Sequence, residues 1–112
     1  MAATVEFLNV LAQAAKDNVT HIALVDGGGT EVSTARLPVT WGDPVNGRIN
    51  MSADLLFDVE AGATVAGWRG FSALEVGVNY GGPSLTAETY TNAGQYNLLA
   101  GGQTYIDVNN PA

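Results

Sequence analysis

Cysteine is absent from this 112-residue chain, so it has no disulfide framework, no thiolate metal ligand and no cysteine nucleophile. Histidine occurs once, as His21, and one imidazole with no thiolate does not complete a zinc site. Basic residues are nearly as scarce. Lys16, Arg36, Arg48 and Arg69 stand against eleven acidic residues, for a formal net charge of −7. Nucleic-acid binding works by clustering Lys and Arg against phosphate, so this balance argues against it. An anionic membrane surface would repel the chain as well. Long apolar runs are missing too. Asn9, Gln13, Lys16 and Asp17 interrupt the apolar residues near the start, which predicts neither a signal peptide nor a membrane span and a product that starts life in the cytoplasm.

Charge of either sign is short. Charged residues make up 13% of the chain, about half the ~25% of an ordinary domain. Apolar residues make up 46%, enough to argue against disorder. A free small domain normally surrounds itself with more charge. The shortage therefore predicts that other subunits cover part of the surface, the alternative being a monomer coated in Ser, Thr, Asn and Gly.

What is present reads as β structure behind one helix. Over residues 4–16, Val5, Leu8, Leu11, Ala12 and Ala15 recur at helical spacing, with Phe7 and Val10 as a second apolar edge. Thr4 is placed to cap the helix, Glu6 lies in its first turn and Lys16 in its last, each favourable to the helix dipole. Residues 19–26 (VTHIALVD) form an apolar, β-branched run, closed by Gly27, Gly28 and Gly29. Residues 31–36 and 37–41 predict one strand or two, with Pro38 favouring an edge. In residues 49–57, Ile49, Met51, Ala53, Leu55 and Phe57 alternate with Asn50, Ser52 and Asp54, leaving Leu56 as the apolar exception on the wet side. A short connection at 60–64 leads into a second run at 65–73, and the two together predict an antiparallel pair. Residues 74–83 read as a loop. Three short strands are expected at 84–89, 95–100 and 104–108.

The fold class this predicts is mainly β: an antiparallel sandwich, immunoglobulin-like or jelly-roll-like, of about seven or eight short strands with one N-terminal helix. Residues 1–18 belong to the helix, 19–108 to the sandwich and 109–112 to a tail.

Little in the pattern points to chemistry. His21 sits mid-strand, as structural histidines do. The turn from Asp26 to Glu31 is glycine-rich but lacks the Lys–Ser/Thr of a phosphate loop and the spacing of a dinucleotide fingerprint. No serine lies in a nucleophile-elbow pattern. Asp43, Asp54, Asp58 and Glu60 lie near the central pair without a calcium-loop spacing. The chain is therefore expected not to be an enzyme and to carry no cofactor and no metal. The candidate partner-contact residues are Trp41, Trp68, Phe71 and Tyr80, with Phe7 and Leu11 on the helix. Alternation places Trp68 on the side opposite Val65, Arg69 and Phe71, so that one of Trp68 and Phe71 faces the core and the other a partner.

Taken in order, the helix, the segments THIALVDGGGTEVSTARLPVTWGDPVNGRI and ADLLFDVEAGATVAGWRGFSA, and the stretch NYGGPSLTAETYTNAGQYNLLAGGQTYIDV resemble small virion proteins encoded among the structural genes of tailed phages of actinobacteria. Those proteins are labelled tail fibre or minor tail proteins, and some similar ones decorate the capsid. The likeness extends from about Val19 onward and rests on scaffold motifs, with no catalytic residue to carry over. It implies a structural component of a virion, foremost a capsid decoration protein bound to the major capsid protein or other virion proteins, as a homo-oligomer and most simply a trimer. The alternatives are a tail fibre or minor tail subunit and a glycan-binding module acting through Trp41, Trp68 or Tyr80.

Overall fold

A computed structural model describes residues 4–100 and 104–108. Helix α1 (Val5–Asn18) begins where the Thr4 hydroxyl accepts the Phe7 N–H at 3.2 Å, and ends where the Val19 N–H reaches the Ala15 carbonyl at 2.9 Å. Its inner face is narrow. Leu8 and Ala15 are half-buried and Ala12 is fully buried. The helix lies over the strands at one end of the sheets, pinned by the Asn9 side-chain oxygen, which accepts the Gly47 N–H at 2.9 Å. Val5 and Leu11, expected on the inner stripe, are exposed. A helix packed on a sheet end by small residues buries only about one third of its circumference, and these two lie at its margins.

Strand β1 (His21–Val25) is central to the larger sheet. One edge pairs antiparallel with β5 (Thr64–Phe71), placing Leu24 opposite Trp68. Its other edge takes β2 (Leu37–Pro38) and a bridge from Val25 to Glu31. The far edge of β5 carries β6 (Asn79–Gly81) and then β7 (Ser84–Thr89), consecutive pieces of one edge interrupted at Gly82 and Pro83. In the facing layer, β3 (Arg48–Asn50) pairs with β9 (Tyr105–Asp107) and β4 (Leu55–Val59) with β8 (Gly94–Leu98). These two pairings run on from each other as one antiparallel ribbon, kinked at residues 52–54. Residues 31–42 fasten the layers along one side, since the same stretch that borders β1 also bridges Ser33 to Val59 and Trp41 to Met51. The result is a small sandwich-like fold of antiparallel sheets with one helix.

Four expectations are corrected. The runs at 49–57 and 65–73 do not pair with each other: β4 pairs with β8, and β5 with β1, β6 and β7. Phe57, Val59, Val65 and Trp68 share one core, so residues 60–63 cross from one layer to the other instead of doubling back within a sheet. The first run is also not one uninterrupted strand. At its kink the Asp54 carboxylate accepts the Ala100 N–H at 2.6 Å, and the Ser52 hydroxyl donates to the Thr40 carbonyl at 3.1 Å. Side chains thus replace ladder bonds, and Ala53 turns outward. The strand expected at 31–36 is reduced to isolated bridges, β6 lies inside the expected loop at 74–83, and the expected tail at 109–112 lies outside the described residues.

The core is built around Trp68, Phe57, Ile22, Leu24 and Ile49, each essentially inaccessible. Trp41 tilts against Trp68 at 6.4 Å between ring centroids and donates its indole N–H to the Val19 carbonyl at 2.8 Å. Backbone approaches make room for this. A Cβ on Gly67 would lie 2.7 Å from the Pro83 carbonyl oxygen, and one on Gly82 would overlap the Trp68 carbonyl. Phe57→Ala is expected to lower unfolding free energy by about 3–5 kcal/mol. Leu56→Ala, one residue away and 54% exposed, should change it by no more than about 0.5 kcal/mol. Urea melts of the two variants check this contrast.

Candidate interaction surface

The few cations of the chain serve as internal clamps. Arg36 donates from Nε and Nη2 to the two carboxylate oxygens of Glu31 at 2.9 and 3.0 Å. Its Nη1 donates to the carbonyls of Ala73 at 3.0 Å and Val76 at 2.6 Å. The same guanidinium lies 3.7 Å from the centroid of the Phe71 ring, a stacked and forked use that suits arginine and not lysine. Arg48 pairs with Asp107 at 2.8 Å across β3 and β9 and covers the Tyr105 ring. Arg69 Nη1 gathers the carbonyls of Trp68, Gly82 and Pro83 at 2.8, 3.2 and 3.2 Å. Lys16 reaches Asp43 at 3.3 Å. Glu6, Asp17, Glu60, Glu75 and Glu88 face solvent, so the outer field is acidic.

The polar residues singled out in the sequence are likewise held in scaffold roles. The ring Nδ1 of His21 is 2.9 Å from the Thr20 hydroxyl. Asp26 accepts the N–H groups of Gly28 and Thr30 at 2.9 and 3.0 Å, so the glycine-rich turn is wrapped around its own aspartate. Asp58 accepts from Gln95 at 3.2 Å, and Asp54 holds the kink. Among the described residues no three His, Asp or Glu side chains converge as a metal cluster would require.

The six candidate contact residues divide evenly. Trp41, Trp68 and Phe71 are buried, at 7%, 1% and 4% exposure, so as partner contacts they are corrected to core residues. Phe7, Leu11 and Tyr80 are exposed. The choice posed between Trp68 and Phe71 has the answer that both are covered, on opposite faces of β5. Trp68 enters the interior between the layers, and Phe71 lies under Arg36. Trp68 also shares the core with Val65 despite its opposite parity, because the pairing with β7 shifts register between Val65 and Gly67.

Three apolar surfaces remain open. The outer side of α1 presents Phe7, with Val10 and Leu11 one turn on from it. The loop after β5 presents Leu74, Val76 and Val78. Residues in this loop were legible as apolar, but their exposure was not, because a loop has no period from which to read a buried side. Between β6 and β9 the sandwich stays open as a groove of about 690 Å³, lined by Trp68, Tyr80, Pro83, Tyr105 and Ile106 among others.

No protein-family profile, curated protein or solved structure matches the chain.

The hydrogen bonds from Arg36 hold the Glu31 carboxyl below its usual range, against the opposing effect of burial. A carboxyl depressed in the folded state contributes stability above its unfolded value, about 4.3 for Glu, and loses it as pH falls through the lower folded value. Glu31→Gln should therefore lose stability at neutral pH and show a flatter decline below about pH 4.3 than the parent chain. Urea midpoints across that range measure it.

Proposed function

We propose that this protein is a bacteriophage virion structural protein, most specifically a capsid decoration protein that binds the outside of the shell and stabilises it. The observation that carries the reading is the pairing of a stiff, internally clamped β body with an unpartnered apolar stripe on α1. Three large apolar side chains, Phe7, Val10 and Leu11, cluster on the helix beside the narrow face that is docked to the strands. Contiguous exposed apolar surface of this kind belongs to protein contact. The sequence resemblance to small phage virion proteins supplies the setting. Its arginines and several of its aspartates are engaged in turns and cross-strand clamps, which suits a body whose task is to hold shape.

In this reading the protein acts as a homo-oligomer, most simply a trimer, with the α1 stripe at the contact between copies. A closed ring hides the stripe and accounts for the low surface charge. A tail position, as a fibre or minor tail subunit, is separated by stoichiometry: a decoration protein follows the repeat of the shell, and a tail subunit is present in few copies. The glycan-binding alternative loses Trp41 and Trp68 as platforms, since both are buried, and moves to the groove beside Tyr80 and Tyr105.

Cryo-electron microscopy of the whole particle is the decisive measurement, with density at regular shell positions as the expected outcome. Phe7→Glu combined with Leu11→Glu should convert the oligomer to the 11.6 kDa single chain in sedimentation, with a lower melting temperature as the subunit contact is lost and a β-type circular dichroism spectrum retained.

A further inference from the structure

We propose that residues 72–78 form a pre-shaped docking knob, in which Val76, flanked by Leu74 and Val78, enters an apolar pocket with a cationic rim on the shell protein; this rests on the decoration reading. Val76 has φ +58. A β-branched residue in the left-handed region is a genuine outlier, disfavoured because its Cβ crowds the following carbonyl oxygen. Glycine or asparagine would occupy the position with little strain. The Arg36 hydrogen bond to the Val76 carbonyl holds this backbone conformation, but the side chain itself is 84% exposed and gains no burial within the fold. Leu74 and Val78 are each 53% exposed. An apolar side chain that is strained and unburied in the free protein gains only when a partner covers it.

The loop is held as a rigid tip. Arg36 grips the carbonyls of Ala73 and Val76 while Glu31 and Phe71 fix its own guanidinium. At the neck, the Ser72 N–H donates to the Val78 carbonyl at 3.0 Å and the Val78 N–H to the Ser72 hydroxyl at 2.8 Å. Gly77, at φ +68, passes so close that a Cβ there would lie 2.6 Å from the Ser72 hydroxyl oxygen. A tip ordered before docking loses little conformational entropy on binding.

Charge selects the partner. Glu75 stands exposed between Leu74 and Val76, the charge of Arg36 is already matched by Glu31, and the whole chain is at −7. Two such tips meeting would set Glu75 against Glu75, and an anionic lipid surface would repel the tip as well. A protein pocket rimmed by Lys or Arg complements it. Three side chains make a central anchor within a wider contact and not a whole interface.

The test uses shells assembled from the major capsid protein of the same phage, without decoration protein, in co-sedimentation with the full chain. The variants are Val76→Asn, Val76→Gly and Glu75→Lys. The two Val76 variants should melt at or above the parent and keep its oligomeric state, yet bind shells on the order of tenfold more weakly, as loss of one anchor implies. Glu75→Lys should weaken binding and flatten its salt dependence. If the parent binds shells and both Val76 variants bind equally well, the knob is refuted and the decoration reading stands. If the parent itself fails to bind, both fall.

Discussion

Trp68 is the side chain around which the two layers close. It sits on β5 opposite Leu24 of β1, stacks obliquely on Trp41, and has the backbone of Gly82 pressed against its carbonyl. The largest apolar side chain of the fold buries the most area, and area removed from water is the main favourable term in a domain this size. Its position dictates the rest. β5 needs a partner on each edge to hold the indole in place, and Trp41 must reach across from the stretch that borders β3. The edge beyond β5 carries glycine at position 82, because a Cβ there would overlap the Trp68 carbonyl.

Scarcity of cations shapes the molecule as much as the core does. With three arginines, each is placed where one guanidinium joins several chain segments. Arg36 ties the turn after β1 to the loop after β5, Arg48 ties β3 to β9, and Arg69 ties β5 to the break before β7. Each combines a planar fork of donors with carbonyl, carboxylate or ring partners, which is more directional than an exposed ion pair and less exposed to salt. The surface keeps the acidic remainder. The body is acidic, with apolar openings on α1 and at the 72–78 loop.

The functional reading draws on that division of labour. Polar side chains close turns and replace ladder bonds at the kink, as Asp26 and Asp54 do, leaving the described carboxylates dispersed. Among the apolar groups left outside, two clusters stand out, one on the helix and one on the clamped loop. A sandwich with residues 31–42 lacing one side and a groove at the other is rigid where it is laced and open to contact elsewhere. A decoration protein needs that combination: shape retention under load, with contact surfaces held in fixed relation.

Local rules determined a good part of this from the residues alone. The α1 cap and its length follow from Thr4 and the spacing of apolar residues. Ile49, Met51 and Phe57 share an inward side because strand side chains alternate, and the burial of all three agrees. The turn at Asp26 follows from its glycines and its own carboxylate. Tertiary structure decided what no local pattern encodes. The ribbon joins Arg48 to Asp107 and Leu55 to Leu98, pairings between residues far apart in the chain, whereas neighbouring runs would equally satisfy an alternation rule. A register shift between Val65 and Gly67 resets the parity of β5, so that Trp68 joins Val65 inside. The exposure of the α1 stripe was also settled only by packing. An apolar side chain is buried when another element covers it, and the sheets are wide enough to cover one face of the helix but not the other.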